Sequence, residues 1–250
     1  MGYVIALAGK GGVGKTTIAA LTVKYLLNNN KTPILAVDAD PNSNFPESIG
    51  INVNDTIGSV LADFLKNKCA VPQGISKQSF LELRLHQILK EGKDIDMMAM
   101  GTPDGPGCYC AVNSILKDYF DTLATNYKYI VIDNEAGMEH FSRKNNSIID
   151  LLIVCSNYSR KGIITAKRLS DLVDSLGLDV KARALVVNQA PEQMDETILE
   201  EIKKTGLPLM GNIVPDNLIE EFELNGKALT GLPNNSKAYQ RIELYLKKYI

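Results

Sequence analysis

The residues most able to do chemistry stand near the start of the chain, at Gly9-Lys10-Gly11-Gly12-Val13-Gly14-Lys15-Thr16-Thr17. Read from Gly9, the stretch completes the phosphate-binding pattern G-x-x-x-x-G-K-[ST] at Lys15 and Thr16. Glycines let the backbone turn its N–H groups toward an anion without a Cβ clash. A helix N-terminus behind them adds partial positive charge. In that geometry Lys15 reaches the β- and γ-phosphates of a nucleotide, the Thr16 hydroxyl ligates Mg²⁺, and Thr17 is placed to bond a phosphate oxygen. Lys10, directly after the opening glycine, is surplus to the pattern.

Two carboxylate clusters complete the set. Asp38-Ala39-Asp40-Pro41-Asn42 follows the apolar run Ile34-Leu35-Ala36-Val37. Two carboxylates one residue apart can serve Mg²⁺ and an attacking water, and Asp40 is the candidate to polarise that water; a plain Asp-Pro turn is the alternative. Tyr129-Ile130-Val131-Ile132-Asp133 is a Walker-B-type strand whose Asp133 holds Mg²⁺ directly or through water. Gly137 allows the segment after it to approach the γ-phosphate and move. Glu139 reads as an outer contact or one across a dimer. His140 reads as a metal ligand or a surface histidine. For the base, Asn188 ends the run Ala184-Leu185-Val186-Val187 with an amide that can face a purine edge. Val214, Pro215 and Asp216 end the following strand and can pack on the ring. Asn188 has a competing role as a strand end or helix cap.

Elements of definite type must hold these residues in place. Strands are expected at 3–8, 34–38, 95–100, 129–133, 149–155, 182–188 and 209–214. Helices are expected at 16–29, 111–126, 161–176, 195–205, 216–225 and 236–249. Continuous apolar runs such as Leu151-Leu152-Ile153-Val154 fit a parallel sheet covered on both faces. The fold class expected is therefore α/β: a doubly wound, mostly parallel sheet with ligands at the carboxyl ends of its strands. Residues 45–94 mix turn residues with helix-like stretches near 56–66 and 77–90, and read as an insertion within one domain spanning 1–250.

Composition sets the outer bounds. The 250 residues are 45% hydrophobic with a formal net charge of −2, which gives no basic excess to recruit nucleic acid. No apolar run reaches the roughly 18 residues a membrane span needs, and no signal peptide is visible. Four cysteines beside a phosphate loop suit a reducing cytoplasm.

The motifs together carry a likeness. The chain resembles the deviant Walker A ATPases of the MinD, ParA and nitrogenase iron protein class through Gly9 to Thr17, Asp38-x-Asp40-Pro41, Ile132-Asp133 with Gly137, and Asn188. The resemblance implies ATP and ADP as ligands, Mg²⁺ as cofactor, and ATP hydrolysis to ADP and phosphate. It also implies a homodimer in which Lys10 reaches across to the partner's ATP.

Cys108 and Cys110 in Gly107-Cys108-Tyr109-Cys110 supply two thiolates, and neither Cys69 nor Cys155 has a partner nearby in sequence. A two-fold dimer would unite two such pairs in a four-thiolate site. Soft thiolates select Zn, Cu(I), Ni or iron–sulfur clusters. Unliganded loop cysteines are the plainer alternative.

With Ala136-Gly137-Met138-Glu139-His140, the C-Y-C pair is similar to that of the CooC-type nickel ATPases, which mature carbon monoxide dehydrogenase; the related AcsF serves acetyl-CoA synthase. This likeness implies nickel as cargo (zinc can occupy such a site in vitro), Cys108 and Cys110 as ligands shared between subunits, and a client nickel enzyme as partner. It implies no nucleic-acid or membrane partner.

Three other readings stand beside it. An iron–sulfur-bridged reductase would need a cysteine after the Walker-B strand, and Asn134 to His140 contains none. A partition or positioning ATPase would have to use the tail Arg241 to Ile250 on a membrane, or bind DNA. A scaffold ATPase would more usually carry C-x-x-C.

Overall fold

The computed structural model describes residues 2–40, 44–66, 71–101, 110–134 and 148–250. Seven strands form one parallel sheet: β1 (Tyr3–Gly9), β2 (Ile34–Ala39), β3 (Ile95–Ala99), β4 (Tyr129–Asn134), β5 (Ile149–Asn157), β6 (Val180–Asn188) and β7 (Leu209–Asn212). Their spatial order is β3-β2-β4-β1-β5-β6-β7. The phosphate-loop strand β1 lies in the middle, with β4 on one side and β5 on the other. The fold is the expected doubly wound α/β arrangement.

Both faces of the sheet are covered. Along β1, Ile5 and Leu7 enter one apolar cluster, and Val4, Ala6 and Ala8 the other. The first cluster packs under α1 (Lys15–Asn28), α2 (Phe45–Ser48), α8 (Asn217–Leu224) and α9 (Lys237–Leu246). The second packs under α3 (Ile57–Lys66), α4 (Lys77–Ile88), α5 (Cys110–Leu123), α6 (Arg160–Ser175) and α7 (Glu196–Thr205). Burial of the central strands on both sides explains why they read as unbroken apolar runs rather than alternating ones.

Most elements fall within two residues of their sequence-based bounds. The helix expected at 111–126 becomes α5 followed by a 3₁₀ turn at Ala124–Asn126, a common way for a helix to tighten at its end. The strand expected at 209–214 stops at Asn212, because the following residues turn along the mouth of a cavity. The stretch between β2 and β3 carries α2, α3 and α4, with Leu81 and Leu85 of α4 fully buried.

The last helix shows how one glycine sets a packing distance. A Cβ on Gly211 of β7 would lie 2.1 Å from Cζ of Tyr245. The bare backbone lets that ring lie flat on the strand. Tyr245 then donates its hydroxyl to the Asn212 carbonyl at 2.9 Å and accepts from the Asn212 N–H at 3.2 Å. Ala238, Tyr239, Ile242, Tyr245 and Leu246 are all buried on this side of α9.

Candidate functional site

The phosphate loop is built at the carboxyl end of β1, and each glycine position has a separate reason. A Cβ on Gly9 would stand 2.6 Å from the Cys155 carbonyl oxygen, so the loop leaves β1 pressed against β5. Gly12 and Gly14 hold φ of 79° and 87°, the left-handed region that side chains disfavour. A Cβ on Gly14 would also lie 2.2 Å from Nδ2 of Asn188. That amide donates to the Val13 carbonyl at 2.9 Å and so braces the loop from β6. Lys15 opens α1, is buried, and donates to the Lys10 carbonyl at 3.5 Å. The Lys10 side chain is exposed.

The cation end lies on the β4 side. Thr16 Oγ1 donates to Asp133 Oδ2 at 2.6 Å. The other carboxylate oxygen, Oδ1, is buried without a partner. Buried polar atoms are almost always satisfied, so a carboxylate oxygen left bare beside a phosphate loop fits a cation ligand. Two hard oxygen donors, the Thr16 hydroxyl and the Asp133 carboxylate, suit Mg²⁺, which accepts one or two protein oxygens plus phosphates and waters. Burial pushes the Asp133 carboxyl up to about 6, against the opposing pull of the Thr16 hydrogen bond and the Lys15 charge. A bound cation would favour its ionised form.

The neighbouring aspartates divide their work. Asp38 is fully buried, and its two oxygens accept from the Asp40 N–H at 2.9 Å and the Phe45 N–H at 3.0 Å. Its carboxyl is raised to about 7, chiefly by burial. The pair expected to serve cation and water together therefore splits: Asp38 shapes the turn after β2, while Asp40 lines the cavity.

That cavity, about 450 Å³, runs from the phosphate loop toward the carboxyl ends of β6 and β7. Asn188, Pro215 and Asp216 all line it. The Asp216 side chain, however, accepts from Leu218 N–H (3.0 Å), Ser236 Oγ (2.6 Å) and Ala238 N–H (3.0 Å). Both its oxygens are committed to the starts of α8 and α9, which leaves Pro215 and the main chain to meet a ring. Val214, expected beside Pro215, lines the cavity too, while the sequence reading missed Asn44, Gln189, Ile213, Ile219, Glu220 and Glu223. A helix after Asp216 was expected, and its i, i+1, i+4 positions Ile219, Glu220 and Glu223 carry the signal that one face of it turns toward the loop. Thr17 does not stand free: its hydroxyl donates to Glu223 Oε1 at 3.2 Å.

Residues 2–183 match AAA_31, an AAA domain family. The chain belongs to this AAA-domain family. It is 39% identical to an uncharacterised ATP-binding protein of Methanocaldococcus jannaschii over 99% of this chain and 98% of that one. It is 26% identical to the carbon monoxide dehydrogenase accessory protein CooC of Rhodospirillum rubrum, over 89% and 87%. Among solved structures, MinD of Pyrococcus horikoshii complexed with Mg-ADP covers 99% of the chain, which covers 96% of it, with a TM-score of 0.69 at 19% identity. A ParA family ATPase of Chlorobium tepidum gives a TM-score of 0.70 at 17% identity, over 98% and 97%. This AAA-domain chain thus has the MinD/ParA-like fold of P-loop ATPases and ATP-binding relatives.

Several expected parts of the AAA-domain site lie outside the described residues: Pro41, Asn42, Cys69, Cys108, Gly137, Glu139 and His140. Cys110 begins α5 by its main chain, and its side chain is outside the description as well. Among the described residues no three His, Cys, Asp or Glu side chains gather as a metal site, and no helix is long and apolar enough to cross a membrane.

Proposed function

We propose that the protein is an ATPase that couples nucleotide-controlled dimerisation to metal insertion into a carbon monoxide dehydrogenase or an acetyl-CoA synthase. The observation that carries the ATPase reading is Asp133, which grips Thr16 while leaving one buried oxygen bare beneath the phosphate loop. Lys15 and the loop N–H groups would neutralise the β- and γ-phosphates, and Thr16 and Asp133 are the residues that would hold Mg²⁺. When bound, that ion supplies charge stabilisation on the transferring phosphoryl group. Asp40 orients the attacking water. Lys10, exposed beside the loop, extends to the nucleotide of a second copy, so nucleotide favours the paired state by differential affinity.

The client and cargo rest on two supports. One is the likeness to a carbon monoxide dehydrogenase accessory protein along 89% of this chain. The other is Cys108 and Cys110, which in a two-fold dimer supply the four thiolates a tetrahedral ion requires. Nickel is the cargo; zinc can take the same thiolates in vitro. Thiolates that must stay free to load metal call for a reducing compartment such as the cytoplasm. We take 1–250 as a single domain, with 45–94 inserted in it.

Metal titration followed by thiolate-to-metal absorption, with and without Mg·ATP, tests this. One ion per two chains, lost in Cys108→Ser, is the expected result. One ion per chain without dimerisation would refute the shared site.

A second reading, a partition or positioning ATPase, draws on the MinD- and ParA-like fold. Against its membrane form, the apolar face of α9 is buried on the sheet. ATP-dependent co-sedimentation with liposomes or DNA would favour it over metal insertion.

A further inference from the structure

The end of β6 and the turn after it supply two residues of the cavity wall, Asn188 and Gln189. Gln189 holds φ of 52°, in the left-handed region that a side chain disfavours. Among the described residues Asn30 is the one other non-glycine residue with positive φ. A strained conformation of this kind persists where its surroundings hold it, and here the holding groups can be named.

The Asn212 side chain donates from Nδ2 to the Pro191 carbonyl and, at 3.3 Å, to the Glu192 carbonyl. Beside it the Ala190 N–H donates to the Ile213 carbonyl at 2.9 Å, and the Ile213 N–H to the Val187 carbonyl at 2.9 Å. The backbone is thus clamped on both sides of Gln189 by the end of β7. Asn212 is itself fixed from α9, where the Tyr245 hydroxyl bridges its N–H and its carbonyl. Asn212 and Tyr245 are both buried, and neither is among the residues lining the cavity. Next to Gln189, the Asn188 amide braces the Val13 carbonyl. A path of hydrogen bonds and short backbone therefore runs from the last helix, through Asn212 and the turn, to the phosphate loop.

We infer that Asn212 and Tyr245 are positioning residues of the nucleotide site: they touch no ligand and hold the turn that places Asn188 and Gln189. Without the Asn212 amide, Gln189 relaxes toward negative φ, the turn shifts, and Asn188 leaves Val13. Part of the affinity for nucleotide is then set by α9, outside the cavity. That the cavity takes a nucleotide at all rests on the reading above, and its independent support is the buried, unpartnered Asp133 Oδ1 at the loop.

Isothermal titration of the full chain with Mg·ATP tests this, because it separates affinity from the fraction of chains able to bind. Asn212→Ala and Tyr245→Phe are each expected to raise the dissociation constant about 5-fold, near what one hydrogen bond contributes, at unchanged stoichiometry. A merely structural role would lower the stoichiometry through unfolded chains and leave the constant alone. Tyr239→Phe is the control. It lies on the same helix and loses a bond of the same kind, from Asn28 of α1 at 2.7 Å, but should leave the constant within about 2-fold, as for sites without shared partners. Gln189→Gly supplies the remaining arm. Glycine takes the left-handed backbone freely, so in that background Asn212→Ala should raise the constant by about 2-fold or less. Equal fold-changes for Asn212→Ala in both backgrounds would overturn the inference. So would a Tyr239→Phe effect as large as that of Tyr245→Phe, or a loss of stoichiometry with the constant unchanged. Failure of the wild type to bind Mg·ATP overturns the nucleotide reading beneath it, a result distinct from all of these. Tyr245→Phe keeps the shape of the core, so poor folding of Asn212→Ala does not shield the idea.

Discussion

Asp133 and Asp38 are both held out of water with little to pair their charge, and each carboxyl rises from 3.8, to about 6 and about 7 respectively. Folding therefore favours their protonated forms. The stability they contribute is fully present below about pH 4 and is lost as pH rises through 6 to 7. Without ligand, the melting temperature should fall between pH 5 and pH 8, and Asp133→Asn should remove the lower part of that fall; scanning fluorimetry across a buffer series reads it out. A rise over the same range would mean that burial does not set these groups. A cation reverses the preference at Asp133, because it needs the ionised oxygen. Mg·nucleotide affinity should thus strengthen as pH rises through about 6, and Asp133→Asn should weaken magnesium dependence by at least 10-fold, about the minimum for a lost charged ligand. Asp133 and the loop residues were legible in the sequence because their roles need fixed types at fixed spacing. The Asp38–Asp40 division was not, since which carboxylate turns inward depends on the Phe45 N–H seven residues away.

At the scale of elements, continuous apolar runs left little ambiguity, so the sheet and most of its helices could be read from pattern alone. What could not be read was how helices lean on strands. Asp216, expected to pack on a ring, lines the cavity, but its side chain ties two helix starts together, an arrangement requiring Ser236 twenty residues on. The Gly211–Tyr245 contact is of the same kind. Gly211→Ala should push α9 off β7, an overpacking cost of about 1–3 kcal/mol, or a drop of several degrees in melting temperature for a chain of this size. Tyr245→Phe keeps the shape but leaves the Asn212 N–H without its hydroxyl, and should cost about 1–2 kcal/mol in urea unfolding. If both substitutions were silent, α9 would not be a fixed part of the sheet's cover. At the loop, Asn188→Ala should loosen the Val13 turn and weaken ATP and ADP alike, because the brace acts on the loop's shape and not on the γ-phosphate.

For the whole molecule, the central prediction concerns Lys10. Its side chain is exposed while its carbonyl serves Lys15 within the chain, so Lys10→Ala should leave ATP affinity within about 3-fold, the range of ordinary surface substitutions. The same variant should abolish ATP-dependent dimerisation in size-exclusion chromatography. An unchanged ATP-dependent dimer would exclude a lysine acting in trans. The order of the sheet carries a further consequence. Asp133 near the end of β4 and Asp40 just after β2 stand on one side of β1, whereas Asn188 at the end of β6 and Pro215 with the α8 carboxylates after β7 stand on the other. On the proposed reading, a bound nucleotide would have its tail inspected by one half of the protein and its handle gripped by the other. Cleaving the last phosphate would then change what the inspecting half feels and nothing that the gripping half holds. The spent nucleotide should linger after its signal has gone, and the pace of the cycle should be set by letting go rather than by cutting.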